Sequence, residues 1–253
     1  MKVLSVLGAV IIAAAIALVI VLAYRQTVEP VESTAAAAQI TAQTTQVTTT
    51  APTAAQTTAA VTAPPDADDA LLLLVNYQYP IAKDYAPDLV DGDYYARVDK
   101  RAAKPLQQML DDCRAAGYQP FVCSSYRTLE EQARLYNNKV YQYLKSGSTQ
   151  VDAEREAAQW VAAPRTSEHH TGLAVDIVDL GYQLLDEGQM DTGTQQWLIK
   201  NCWKYGFILR YPLEKKKITH VHFEPWHYRY VGKEHAKKIT QAGICLEEYL
   251  GKI

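Results

Sequence analysis

Apolar and polar positions follow a helical spacing in several stretches of the second half of the chain. In residues 104–116, apolar side chains recur at i, i+3, i+4 and i+7, and Gly117 follows as a stop. This spacing predicts an amphipathic helix. Thr128 and Glu131 have the spacing of a capping box at the start of a second helix. The pattern predicts further helices over residues 128–144, 152–161 and 194–205.

Other stretches have the short apolar runs that are typical of strands. Residues 71–76 form a strand or the approach to one, and Pro120 favours an edge position for the strand at 118–123. The remaining strands are predicted at 173–178, 207–211 and 218–224. Helices and strands alternate irregularly, without a Gly-rich phosphate loop. The predicted fold class is therefore α+β, with a small, mainly antiparallel sheet flanked by helices.

The first 69 residues differ in composition from the rest. Residues 3–24 are 22 uncharged, mostly apolar residues without a clear cleavage site, which predicts an uncleaved transmembrane signal anchor over residues 1–25. Residues 26–69 are rich in Thr, Ala and Gln and predict a disordered linker. Lys2 and Arg25 flank the apolar run almost evenly, so charge leaves its orientation open. We expect residues 70–253 to form one globular domain.

Charge excludes one class of partner. The net charge is −3, and lysines and arginines are scattered along the chain rather than gathered in a stripe. A nucleic-acid binder is expected to carry a basic patch, so we expect no nucleic-acid partner.

The four cysteines form no CxxC pair, which argues against a zinc ribbon or a thioredoxin-like redox motif.

A carboxylate in an apolar strand is the first sign of chemistry. Asp176 lies in the middle of the sequence LAVDIV, where burial is costly unless a cation meets the charge. His169 lies seven residues earlier, and Gly172 permits a tight turn that brings its imidazole back over the strand. A histidine and an aspartate near one point are suitable zinc ligands.

A second cluster, in the sequence EPWHYR at 224–229, completes a catalytic set. His227 is the candidate third ligand, which leaves a fourth position open, as in catalytic zinc sites. Glu224 is the candidate general base beside the metal. The zinc site is predicted to lie at the sheet.

Each of these residues also has a structural interpretation. His169 can be a solvated loop residue, Asp176 can cap a turn, and Glu224 can pair with Arg229. Their joint occurrence favours the metal site. The four other histidines are assigned to the surface or to the support of the ligands. They are His170, His220, His222 and His235. Alternation in the predicted strand nevertheless places His222 on the same face as Glu224.

Three motifs together resemble one family of enzymes. They are SSYR at 124–127, SEHHTGLAVD at 167–176 and EPWH at 224–227. Their order and spacing are similar to those of VanY-type D-alanyl-D-alanine carboxypeptidases and the related LD-carboxypeptidases, which are zinc peptidases, over about residues 71–250. The resemblance implies that zinc is held by His169, Asp176 and His227, with Glu224 as the catalytic base.

The resemblance also implies a substrate-binding role for Arg127 and Ser167, and we add Tyr126 and Gln132 as further candidates. Arg127 is assigned a catalytic role as well, the stabilisation of the oxyanion. A fixed guanidinium can pair with a carboxylate or with a developing oxyanion. The alternative for Arg127 is a structural salt bridge. The segment 220–223 departs from the family pattern, and this change can alter the pocket lining or add a second metal.

The predicted function is zinc-dependent removal of the C-terminal D-amino acid from peptidoglycan stem peptides. An LD-carboxypeptidase acting on tetrapeptide stems is the alternative within this class, and a non-catalytic wall-binding module is the alternative outside it. Chemistry on the cell wall places the catalytic domain outside the cytoplasm, anchored to the membrane. The sequence leaves the oligomeric state open.

That location also favours oxidation of cysteines. Cys202 lies in a predicted helix and Cys245 near the C-terminus. We expect a disulfide between them, while Cys113 and Cys123 are expected to pack as small apolar residues.

Overall fold

A computed structural model describes residues 70–92 and 96–253 of the chain. The predicted signal anchor at 1–25 and the predicted linker at 26–69 lie outside these ranges. Within them, no helix is both long and apolar enough to cross a lipid bilayer.

Helices and short strands alternate along the chain. The strands are β1 (Leu89–Asp91), β2 (Arg97–Asp99), β3 (Pro120–Ser124), β4 (Ala174–Asp179), β5 (Phe207–Leu209) and β6 (His227–Tyr230). The α-helices are α1 (Lys100–Ala115), α2 (Leu129–Lys145), α3 (Gln150–Ala158), α4 (Gly193–Asn201), α5 (Lys216–Thr219), α6 (Lys233–Ala242) and α7 (Leu246–Tyr249). Short 3₁₀ turns cover Glu168–Thr171, Glu187–Asp191, Cys202–Tyr205 and Leu213–Lys215.

The central sheet has four strands in the order β3-β4-β6-β5, and each neighbouring pair is antiparallel. β1 and β2 form a separate antiparallel pair. The predicted α+β class with a small antiparallel sheet is confirmed. Strand β4 lies inside the sheet, with β3 on one side and β6 on the other, and so it can bring groups from three strands together.

The two faces of this sheet differ in chemistry. Successive side chains of a strand point to opposite faces. Val175 and Ile177 of β4 and Tyr228 of β6 belong to the main hydrophobic core, so Asp176 and His227 lie on the other face. The apolar face packs against residues of α1 and α4 that include Leu106, Met109, Leu110 and Leu198.

The predicted helices form, with shifted ends. α2 begins with the predicted capping box, in which the Glu131 N–H donates to Thr128 Oγ1 at 3.2 Å and the Thr128 N–H to Glu131 Oε2 at 2.8 Å. α1 begins at Lys100, four residues before its predicted start. The Asp99 side chain accepts from the Arg101 N–H at 2.9 Å and caps the helix there.

Two strand predictions were wrong. Residues 218–224 form no strand, because α5 extends to Thr219 and His220 follows it in a left-handed conformation (φ 58°). The backbone N–H groups of His222 and Glu224 then donate to the carbonyl groups of Gln159 and Tyr211. Residues 71–76 also form no strand. Two carbonyl groups of that segment instead accept from the guanidinium of one buried arginine, Arg229.

The disulfide prediction was also wrong, since all four cysteines are free. Cys202 packs in the main core, whereas Cys245 begins α7, where its N–H donates to Glu248 at 2.7 Å. The two thiols thus occupy different environments. Cys113 is buried in the core as predicted, but Cys123 is exposed on β3.

Candidate metal centre and active site

His169 lies in a 3₁₀ turn that ends immediately before β4. Gly172 ends this turn in the left-handed conformation, with φ 71°. A Cβ atom added there would lie 2.7 Å from Leu89 Cδ2 and 2.8 Å from the Asp99 backbone nitrogen. Glycine is therefore required both by the backbone angle and by the close approach of β1 and β2. The predicted turn between His169 and the strand is confirmed.

The three predicted metal ligands come together on the polar face of the sheet. Asp176 and His227 are paired in the register of β4 and β6, and His227 Nδ1 is 2.9 Å from Asp176 Oδ1. His169 Nε2 lies 3.2 Å from Asp176 Oδ2. Among the described residues, these three form a buried group whose candidate ligand atoms lie within 4.8 Å of one another.

The ring nitrogens that face away from this centre also have defined surroundings. His169 Nδ1 is 2.7 Å from the carbonyl oxygen of Ser125, to which it donates when the ring is neutral, and this leaves Nε2 to face the centre. His227 is turned the other way, with Nδ1 at the centre. Its Nε2 faces the carboxylate of Glu168 at 3.7 Å.

Burial and charge set the protonation of the three groups. Burial lowers the pKa of His169 to about 4, so its ring is neutral at pH 7 and able to bind a metal. Burial alone would raise the pKa of Asp176, but His169 and Arg127 hold it well below its usual value. Burial would likewise lower the pKa of His227, yet the neighbouring carboxylates of Asp176 and Glu168 raise it to about 9. A metal at this centre must therefore displace a proton from His227.

Glu224 reaches the same centre from the irregular segment between α5 and β6. Its Oε2 lies 3.8 Å from His227 Nδ1, and the residue is 6% exposed. Burial raises the pKa of Glu224 to about 8. The alternative pairing of Glu224 with Arg229 was wrong, because Arg229 pairs with Glu168. Glu224 is thus a buried carboxyl group beside the ligands, as its predicted role requires.

Arg127 follows β3 and extends to the centre. Its Nη2 donates to Asp176 Oδ2 at 2.6 Å, its Nε to Ser124 Oγ at 2.8 Å and its Nη1 to Gln132 Oε1 at 3.2 Å. The salt bridge named as the alternative for Arg127 is present. The side chain is nevertheless 18% exposed, while that of Asp176 is 3% exposed. Arg127 is therefore the part of this pair that solvent can reach.

A cavity of about 250 Å³ opens over the centre. Its walls include the three candidate ligands with Arg127, Ser167, Glu224, Tyr211, Trp160 and Trp226. Tyr126 and Gln132 are not among the described residues that line it. Gln132 holds Arg127 and donates to the Ala162 carbonyl at 2.6 Å, and the Tyr126 ring lies 5.7 Å from the Arg97 guanidinium. Their substrate-binding roles stay predictions.

The other four histidines have partners of their own. His170 Nδ1 lies 2.8 Å from the Arg127 carbonyl oxygen. His222 stacks on Trp160 with ring centroids 4.0 Å apart, and the rings of His220 and His235 make edge contacts with tyrosines. These contacts agree with their assignment to the surface or to support. The expectation that His222 shares a strand face with Glu224 was wrong, since that strand does not form.

A buried charge network that the sequence does not predict lies behind His227. Glu168 accepts from Arg210 and Arg229, and Arg210 makes a bidentate pair with Glu247 at 2.7 and 2.9 Å. All four side chains are 0–2% exposed. No local pattern marks them, because each stands in a different element and the network forms only in the folded chain. Glu168 does lie within the quoted SEHHTG motif.

The residues present fit a zinc ion. Two imidazoles and one carboxylate are a common zinc donor set, and three protein ligands leave room for a fourth group. A carboxylate buried in an apolar strand needs compensating partners, and nitrogens of Arg127, His169 and His227 converge on Asp176. Glu224 adds a buried carboxyl group beside the ligands. Such an arrangement is suited to the hydrolysis of an amide bond.

Comparisons with known proteins agree with this chemistry. A family model described as VanY, D-alanyl-D-alanine carboxypeptidase, matches residues 95–233. The chain is 46% identical over 187 residues to a D-alanyl-D-alanine carboxypeptidase of Enterococcus faecalis (strain ATCC 700802 / V583). The matched region covers 73% of this chain and 67% of that protein.

Solved structures are similar in fold. A mutant of the vancomycin resistance D,D-pentapeptidase VanY in complex with Zn(II) matches with a TM-score of 0.65 at 45% identity, covering 72% of this chain and 99% of that one. VanYB in complex with D-alanine-D-alanine matches with a TM-score of 0.65 at 46% identity, covering 71% and 97%. The LD-carboxypeptidase LdcB matches with a TM-score of 0.63 at 38% identity, covering 72% and 86%.

Proposed function

This chain belongs to the VanY family of D-alanyl-D-alanine carboxypeptidases, and from that premise we propose that it removes the C-terminal D-amino acid of peptidoglycan stem peptides. The proposal rests on one observation: the three candidate ligands, Glu224 and Arg127 line the same cavity. The substrate follows from its relatives, since a similar structure holds D-alanine-D-alanine.

His169, Asp176 and His227 are the residues that would hold zinc. Bound at this centre, zinc supplies Lewis-acid chemistry, in which it polarises a carbonyl group and lowers the pKa of a water molecule. The chain contributes a rigid support, because Asp176 and His227 lie on paired strands and His169 is fixed by the Ser125 carbonyl and Gly172.

Glu224 is proposed to move the proton. Its burial favours the neutral carboxyl group in the metal-free chain, and a cation held by the neighbouring ligands would favour the carboxylate. As a carboxylate, Glu224 can take the proton of the attacking water and then give it to the leaving amine. A module that only holds peptide has no need of such a group, and this argues against the non-catalytic alternative.

Arg127 and Ser167 are proposed to bind the substrate end of the peptide. Both line the cavity, and the Arg127 guanidinium is partly exposed to it. A guanidinium can make two charge-assisted hydrogen bonds to a terminal carboxylate. To do so, Arg127 would exchange its present contact with Asp176 for one with the substrate. Recognition of that carboxylate would restrict cleavage to the end of a chain.

LD-carboxypeptidase activity is the second candidate, and the similarity to LdcB favours it. Incubation of the zinc-loaded protein with defined stem pentapeptides and tetrapeptides, followed by mass analysis of the products, separates the two. Loss of one residue from the pentapeptide supports DD-activity, and loss of one residue from the tetrapeptide supports LD-activity. No loss from either would refute the proposed function.

We also propose that the protein is anchored in the membrane by residues 1–25 with its catalytic domain outside the cytoplasm. The support is the run of 22 uncharged, mostly apolar residues at 3–24, together with a cell-wall substrate. Cell fractionation combined with protease treatment of intact spheroplasts tests this proposal. Recovery of a shortened protein from the culture medium would contradict the uncleaved anchor.

A further inference from the structure

Two buried polar atoms behind the metal centre face each other without a hydrogen bond. Among the described residues, His227 Nε2 and Glu168 Oε2 are both buried and have no hydrogen-bond partner. They lie 3.7 Å apart. A charge-assisted hydrogen bond is about 2.7–2.9 Å long, so an approach of about 1 Å would satisfy both atoms.

The position of Glu168 is fixed from the opposite side. Its Oε1 accepts from Arg210 Nε at 2.8 Å and from Arg229 Nη1 at 2.7 Å. With both arginines on one oxygen, the other oxygen is directed at His227. Glu168 can therefore act as a fixed hydrogen-bond acceptor.

The arginines are themselves held from several parts of the chain. Arg210 pairs with both oxygens of Glu247 in α7, and Glu247 Oε1 also accepts from Asn76 Nδ2 at 3.3 Å. Arg229 Nη2 donates to the carbonyl oxygens of Leu71 and Leu73 at 3.0 and 2.8 Å. Two glutamates and two arginines balance in charge, so the network can stay ionised although it is fully buried.

We propose that Glu168 is a positioning residue, whose Oε2 accepts the Nε2–H of His227 and thereby leaves Nδ1 as the nitrogen that binds the metal. This inference rests on the proposed zinc site. A metal-binding histidine commonly donates its second ring N–H to an outer acceptor, which fixes the tautomer and the ring orientation. For His169 that acceptor is a backbone carbonyl, and for His227 it is the carboxylate of Glu168.

Glu168→Gln would reverse the preference for the His227 tautomer that carries its proton on Nε2. The amide oxygen of the variant would accept from the arginines, and its NH₂ group would then face His227 Nε2. That group donates, so it selects the tautomer that carries the proton on Nδ1 and cannot bind a metal there. Glu168→Gln should lower zinc affinity about 10–100-fold. Glu168→Asp keeps the charge and should retain more of the affinity.

Glu247→Gln is the matched control, since it also removes a carboxylate charge from Arg210 but does not contact His227. Zinc affinity is measured by competition with a chromogenic chelator on the whole chain, and stability is measured on the metal-free proteins. The proposal predicts that Glu168→Gln loses zinc affinity while Glu247→Gln stays close to wild type. Equal zinc affinity in wild type and Glu168→Gln, or an equal loss in both variants, would overturn it.

The tautomer of His227 can also be measured directly in the wild type, so the test does not depend on the folding of a variant. In the zinc-loaded protein, two-bond ¹H–¹⁵N spectra of the imidazoles should show His227 with a protonated Nε2 and a metal-bound Nδ1. The reverse assignment would overturn the role of Glu168 while leaving the zinc site intact. A wild-type protein that binds no zinc would overturn the proposed function as well.

Discussion

Asp176 and His227 stand opposite each other on β4 and β6, with Asp176 Oδ1 and His227 Nδ1 2.9 Å apart. Antiparallel pairing of two neighbouring strands is thus sufficient to place two of the three candidate ligands side by side. His169 joins them through a turn that ends at Gly172. The centre consequently rests on regular backbone structure, which limits the movement of its side chains.

Removal of one ligand should abolish tight zinc binding. In His227→Ala, only His169 and Asp176 remain, and two ligands form an incomplete zinc site. Zinc content per chain, measured after dialysis, should fall from one to well below one. His235→Ala is the control, because His235 contacts Tyr249 and should leave zinc content unchanged. Equal zinc in wild type and His227→Ala would exclude this ligand set.

Gly172→Ala should destabilise the fold next to the centre. The left-handed backbone costs a non-glycine residue about 1–2 kcal/mol, and overpacking against Leu89 and Asp99 adds about 1–3 kcal/mol. Gly147→Ala is a matched control, since Gly147 also has a positive φ (94°) but nothing within 4 Å of an added Cβ. Urea unfolding of the metal-free proteins should show the larger loss for Gly172→Ala. Equal losses would mean that the close approach costs nothing.

The buried charge network should respond strongly to the loss of one member. Arg210→Met leaves two buried carboxylates without their shared partner, and such a change costs about 3–5 kcal/mol in the free energy of unfolding. Arg155→Met removes an ion pair at the surface, where the Arg155 side chain is 62% exposed. This change should lower the free energy of unfolding by about 0–1 kcal/mol. Urea unfolding tests both variants. A neutral or stabilising Arg210→Met would show that the network does not contribute to stability.

The sequence predicted much of the centre because the signals there are local. Asp176 interrupts an apolar strand, Gly172 marks the turn, and His227 follows Glu224 within one short motif. Each of these features constrains the chain over a few residues. The sequence alone therefore predicts all three candidate ligands and Glu224.

Features that depend on distant contacts could not be predicted. Glu168, Arg210 and Glu247 look like surface charges in the sequence, and only the fold buries them together. Residues 218–224 alternate like a strand, but the first two belong to α5, and the hydrogen bonds from His222 and Glu224 to Gln159 and Tyr211 keep the rest irregular. The expected pairing of Cys202 with Cys245 failed for the same reason, since tertiary packing decides which cysteines meet.

Arg127→Lys should impair activity while leaving the metal in place. Lysine presents a point charge and cannot make the paired hydrogen bonds of a guanidinium, so kcat/KM should fall on the order of 10²-fold. Zinc content should stay near one per chain. Arg134→Lys, at an exposed position of α2, is the control and should leave kcat/KM unchanged. Unchanged activity of Arg127→Lys would reduce Arg127 to a structural partner of Asp176.

The central claim is that this centre hydrolyses the last peptide bond before a free carboxylate, with Glu224 as the base. The most direct test incubates zinc-loaded wild type and Glu224→Gln with one stem pentapeptide that has either a free or an amidated C-terminus, and follows product mass. The wild type should release one D-alanine from the free form only, and Glu224→Gln should bind zinc but lose about 10²–10⁴-fold in rate. Equal cleavage of the free and amidated peptides, or wild-type turnover by Glu224→Gln, would contradict this account.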